Sequence, residues 1–116
     1  MPKTLDDMPN LDNETRQLLL KLKELLRRHA PNATLLLYGS AARGERGPES
    51  DYDVLVLLET PLTAEEMAAI QQAVYDIELR HEIVISLAFY TLDEWNRPLA
   101  RLSPYHQAVE REAIRL

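Results

Sequence analysis

The residues able to do chemistry in this chain crowd between positions 39 and 53. All three glycines fall there, at Gly39, Gly44 and Gly47, beside Ser40, Arg43, Arg46, Asp51 and Asp53. Glycine permits positive φ and lets a ligand approach with no Cβ in the way. Asp51 and Asp53 lie two residues apart and run straight into the apolar stretch Val54-Leu55-Val56-Leu57-Leu58. On a strand, that spacing sends both side chains off one face. Two such carboxylates at about 4 Å repel by about 4 kcal/mol at an effective dielectric near 20. Either one takes up a proton or a divalent cation sits between them. Mg²⁺, with Mn²⁺ as its substitute, suits hard oxygen donors and usually shares them with phosphate oxygens.

Ser40 stands where an apolar run gives way to a short helical stretch. Free N–H groups and the positive end of a helix dipole favour an anion at such a junction. The Ser40 hydroxyl is a further donor, Gly39 leaves room for it to act, and Arg43 and Arg46 add positive charge. A phosphate at one end and a metal at the other describe a nucleoside triphosphate site. Taken singly, Gly-Ser is a common turn and Asp-x-Asp a common solvated strand start; their joint order is what favours the site. Phosphatases that use the first aspartate as nucleophile place it after the apolar strand, whereas here the strand follows, so that chemistry is set aside.

The elements that must position these residues follow from periodicity and caps. Asn10 and Asp12 offer caps for a helix to about His29, with Leu11, Leu18, Leu22, Leu25 and Leu26 on one face and Pro31 as the stop. Thr34–Tyr38 reads as a buried strand, residues 40–43 as a brief helix, 44–50 as loop and Asp51–Leu58 as a second strand. Thr63 with Glu66 forms a capping box before a helix carrying Met67, Ile70, Val74 and Ile77. Glu82–Tyr90 reads as a third strand. Thr91 with Glu94 caps a helix from Leu92 to about Arg101, and Ser103-Pro104 opens a last helix through Ala113. The expected fold is α/β (α+β in some schemes): a single domain over residues 1–116, with a small three-stranded mixed sheet covered by helices in the order α-β-α-β-α-β-α-α.

Composition narrows the function. The 116 residues are 46% hydrophobic and 28% charged, with no cysteine and a net charge of −6. The acidic balance argues against binding long nucleic acid. No apolar run approaches the ~20 residues that span a bilayer, and the first residues lack a secretory pattern. Absence of thiols fits a cytoplasmic protein.

Gly39-Ser40, then ten residues, then Asp51-Tyr52-Asp53 resembles the signature of the minimal nucleotidyltransferase family within the DNA polymerase β superfamily. The flanking Ala42-Arg43-Gly44 and Ser50-Asp51-x-Asp53-Val54 agree with it, as does element order from about Leu18 to Tyr90. The resemblance implies the nucleotidyltransferase fold and transfer of a nucleotidyl group, commonly AMP from ATP, to an acceptor hydroxyl. Carried over, Gly39 and Ser40 contact the triphosphate and Asp51 and Asp53 bind metal, two ions being held by three carboxylates. The third carboxylate belongs on the next long strand, where the equivalent position holds Ser86. Glu82 shares that face by parity but lies about 13 Å away along an extended strand. Either Glu82 substitutes from the strand entrance or the second metal site is weak.

A chain of this length is expected to lack a separate acceptor-binding domain, and a protein partner is expected to supply the acceptor. The resemblance points to a helical HEPN-type toxin, with this chain as its antitoxin; homo-oligomerisation stays open. The alternatives are a partner-binding module of the same fold with weak or no catalysis, and a nucleotide-sensing regulator. Arg101-x4-His106 matches the spacing of HEPN ribonucleases, but those are all-helical, so it reads as coincidence. His29 and His81 suit helix C-termini. Trp95, Tyr105 and Val109 read as packing residues, and Asp76 and Glu78 as a solvated helix face.

Overall fold

Alternation along one strand divides the protein into two halves. The structure, a computed structural model, describes residues 3–8, 11–43 and 51–116. In β3 (Tyr52–Leu58), Tyr52, Val54, Val56 and Leu58 enter one apolar core while Leu55 and Leu57 enter another. Asp53 therefore shares the face of Leu55 and Leu57.

β3 pairs antiparallel with β2 (Thr34–Tyr38) and parallel with β4 (Ile85–Thr91). Beyond β2 lie β5 (Ile114–Arg115), antiparallel to it, and β1 (Lys3–Thr4), parallel to β5. Among the described residues the sheet has five strands in the order β1-β5-β2-β3-β4. It is mixed, as expected, but larger than the three strands read from the sequence. Two-residue strands are too short to display alternation, so no pattern announced them.

The first core is closed by α1 (Asn13–His29) and α3 (Ala64–His81). The Thr15 N–H donates to Asp12 Oδ1 at 2.7 Å, which starts α1 at the expected cap. Leu19, Leu22 and Leu26 are almost wholly buried, each contributing about 1.5–3 kcal/mol. Thr63 and Glu66 cap α3 reciprocally, at 3.0 and 3.1 Å, and Ile70 and Val74 face the sheet core.

The second core is smaller, with Trp95, Val109 and Ala113 over Leu36, Leu55 and Leu57. It is covered by α4 (Leu92–Trp95) and α6 (Pro104–Glu112), whereas α5 (Pro98–Arg101), between them in sequence, buries no residue. The expected single helix from Leu92 to Arg101 is thus two. Pro98 disfavours helical backbone in the residue before it, and Arg97 is extended at φ −61, ψ 141. The box of Thr91 with Glu94 and the Ser103 cap of α6 form as expected.

β4 begins later than its apolar run indicates. Glu82 is the left-handed cap of α3, at φ 53, and not the first residue of a strand. Glu78 fixes this ending: its backbone carbonyl accepts from the Ile83 N–H at 3.2 Å, and its Oε2 accepts from the Ile85 N–H at 2.9 Å. Glu78 is therefore a partly buried anchor of β4, whereas Asp76 is exposed as expected. Among the described residues no helix is long and apolar enough to cross a membrane.

Candidate functional site

The site assembles where β2 ends beside the start of β3. After Tyr38 the chain turns through Gly39 at φ 77 into α2 (Ser40–Arg43), with the Arg43 N–H donating to the Gly39 carbonyl at 3.1 Å. Glycine is needed here twice. A side chain disfavours that φ, and a Cβ at this position would collide with Asp53 Oδ2, with Asp53 Cγ only 3.4 Å away. The Gly39-Ser40 turn thus lies directly against the Asp53 carboxylate. Ser40 opens α2, a single turn whose first N–H groups have no partner four residues back.

Asp51 immediately precedes β3 and Asp53 is its second residue. In the β3–β4 ladder Asp53 is in register with Ser86, and the Ser86 hydroxyl donates to Asp51 Oδ2 at 3.0 Å. Ser86 therefore stands beside Asp53 on the neighbouring strand and spends its hydroxyl on Asp51. Glu82 has no such placement. The parity argument assumed an extended strand from 82, and the left-handed cap of α3 removes that premise. Burial and the neighbouring Asp51 charge raise the proton affinity of Asp53, against a smaller opposing pull from Arg43. Among the described residues no group of three or more His, Cys, Asp or Glu could hold a metal. The available donor set is two carboxylates with a hydroxyl beside them, all hard oxygens, which fits Mg²⁺ completed by ligand oxygens.

Arg43 pulls on the Asp53 charge and has a partner that was not expected. Its Nη1 donates to Glu112 Oε2 of α6 at 3.0 Å. Glu112 is 69 residues away in sequence, so no local pattern could have coupled the two. Arg46, Gly44 and Gly47 lie outside the described residues.

An aromatic wall borders the carboxylates on the same face. Tyr38 is in register with Asp53 across β2 and β3, and its hydroxyl accepts from Tyr105 of α6 at 3.0 Å. Trp95 meets Tyr105 edge-on at 6.0 Å and Tyr90 at 5.5 Å, and stacks on His106 at 4.0 Å. His106 is 4% exposed; it is a packing residue, which accounts for the Arg101–His106 spacing without chemistry. Trp95 and Val109 are buried as read, whereas Tyr105 keeps part of its surface exposed beside the site. The signal for Tyr38 was its place just before Gly39; Tyr105 had none.

The turn against a carboxylate, the paired aspartates on one face and the mixed sheet define a nucleotidyltransferase architecture. The family model for the nucleotidyltransferase domain matches residues 19–108, and the chain belongs to that family. It is similar to a solved structure provisionally assigned as a minimal nucleotidyltransferase, with 28% identity and a TM-score of 0.61, covering 93% of this chain and 99% of that one. A second similar structure is a toxin–antitoxin crystal structure with AMP-PNP, at 21% identity and a TM-score of 0.56, covering 85% of this chain and 69% of that one. The latter likeness is one of fold. No curated protein is significantly similar to this chain.

Proposed function

We propose that this protein transfers AMP from ATP to a hydroxyl on a protein partner, and that the partner is a helical toxin for which it is the antitoxin. The observation that carries the transfer reading is the Gly39-Ser40 turn seated on Asp53, with Asp51 beside it. Gly39 and Ser40 would hold the triphosphate, helped by Arg43 and Arg46. Asp51 and Asp53 would hold Mg²⁺ or Mn²⁺. When bound, such an ion neutralises triphosphate charge and polarises the α-phosphate. The acceptor oxygen bonds to the α-phosphorus as the bond from that phosphorus to pyrophosphate breaks. The acceptor proton is released to water as the new bond forms. The toxin partner rests on the fold likeness to the toxin–antitoxin structure, and the cytoplasmic location on the lack of cysteine.

The test is incubation with α-labelled ATP and Mg²⁺ or Mn²⁺, with and without the product of the adjacent gene. Label on that product, lost in Asp51→Ala and Asp53→Ala, is the expected result. A tight complex with no label, equal in wild type and variants, would overturn it in favour of a binding module. Ser86 favours that second reading, because a hydroxyl replaces a carboxylate there. Ser86→Asp separates a slow enzyme from an inert one: a slow enzyme gains about tenfold or more in transfer rate, and an inert module gains nothing.

A further inference from the structure

We propose that the hydroxyl pair of Tyr38 and Tyr105 is a positioning element of the nucleotide site, donating one hydrogen bond to an oxygen of the bound triphosphate. The inference rests on the nucleotidyl-transfer reading and assigns it residues outside the Gly-Ser and Asp-x-Asp motifs.

Three observations place the pair. Tyr38 is the last residue of β2, directly before the Gly39 turn, and its Cα partner across the ladder is Asp53. Directly opposed residues of an antiparallel pair project from the same face, so Tyr38 stands in one row with Asp53 and Ser86. The Tyr38 and Tyr105 rings meet edge-on, with centroids 5.6 Å apart and planes at 82°. Tyr105 is braced in turn by Trp95, which stacks on the buried His106. The hydroxyls are thus fixed by packed rings before any ligand arrives, which lowers the ordering cost on binding.

Proton counting supplies the donor. Two phenols carry two protons, and the bond between them uses one. Among the described residues neither hydroxyl has a second hydrogen-bond partner, so the pair retains one proton to give. The receiving space is the carboxylate face, where an anionic ligand would bring oxygen acceptors beside the Gly39-Ser40 turn. Burial and its bond to Tyr38 hold the Tyr105 phenol well above its ordinary range, so its proton stays in the bond between the two hydroxyls. A neutral donor assists an anion without adding charge next to Asp51 and Asp53.

The experiment uses the full chain with Tyr38→Phe, Tyr105→Phe and the double variant, which keep the rings. Affinity for a non-hydrolysable ATP analogue with Mg²⁺, the KM and kcat of label transfer, and Tm are measured together. Tyr38→Phe is expected to weaken binding by about tenfold, as for a lost hydrogen bond to a charged group. KM rises with it, kcat changes little, and Tm stays within about 2 °C. The double variant is expected to be no weaker than the worse single one, because the two hydroxyls act as one donor. Wild-type binding with unchanged affinity in all three variants would overturn this inference alone and leave the pair as packing. Failure of the wild type to bind any triphosphate would overturn the nucleotide reading, and this inference with it.

Discussion

The two faces of the sheet use the same strands for opposite ends. On one, Tyr52, Val54, Val56 and Leu58 are sealed by α1 and α3, and the core extends through Leu18, Leu19, Leu22, Leu26, Ile70 and Val74. On the other, apolar cover from α4 and α6 reaches Leu36, Leu55 and Leu57 and stops at the row of Tyr38, Asp53 and Ser86. A single strand therefore faces the long helices with its even residues and presents Asp53 on the opposite face. Packing on the long-helix face lets the opposite face carry two adjacent carboxylates and the Gly39 turn. On the proposed function, strand alternation separates the larger core from the candidate site within this one sheet.

The largest effect that tests this division is Leu22→Ala. Leu22 is 1% exposed on the sealed face, so its truncation is expected to cost about 2–5 kcal/mol in chemical denaturation. The folded fraction should keep nucleotide affinity. Loss of affinity in protein that remains folded would mean that the two faces are coupled. Gly39→Ala is the counterpart on the open face. The variant meets both an unfavourable φ and a collision with Asp53, with an expected cost of about 1–3 kcal/mol. Unlike Leu22→Ala, it should also abolish triphosphate binding in the protein that still folds.

The difference between faces also explains what could be read from the chain. Caps and periodic helices are local, so Asp12, Thr63 with Glu66, Thr91 with Glu94 and Ser103 were legible. So was Thr34–Tyr38, a short apolar run bounded by turn residues. The Gly39-Ser40 and Asp51-x-Asp53 pairs were legible as a candidate site because each is compact in sequence. What joins them to the rest is not local. Arg43 with Glu112 and Tyr38 with Tyr105 span 69 and 67 residues, and only the docking of α6 over the sheet creates them. The start of β4 was misread for a different reason. Ile83-Val84-Ile85 has strand composition, but the left-handed Glu82 and the Glu78 carboxylate finish the helix first.

The smallest expected effect has the opposite sign from the other two. Burial and Asp51 raise the proton affinity of Asp53 in the folded protein, so the native state binds more protons than the unfolded one between the ordinary carboxylate range and the raised value. Stability then falls as pH rises through that window, and the full penalty of the ionised group is present at neutral pH. In a chelator, Asp53→Asn should raise Tm by a few degrees at pH 7, and the advantage should vanish once the solution is acidic enough to protonate the wild-type carboxylate in both states. Adding Mg²⁺ should then raise the Tm of the wild type and leave the variant unmoved, because the ion relieves the same repulsion that the substitution removes. If Asp53→Asn instead lowered Tm at neutral pH, the open face would be stabilised by its carboxylate, and the separation of burial from chemistry drawn from the two faces would fail. That outcome would locate structural work in the site itself, since Asp53 lies against Gly39 and in register with both Tyr38 and Ser86.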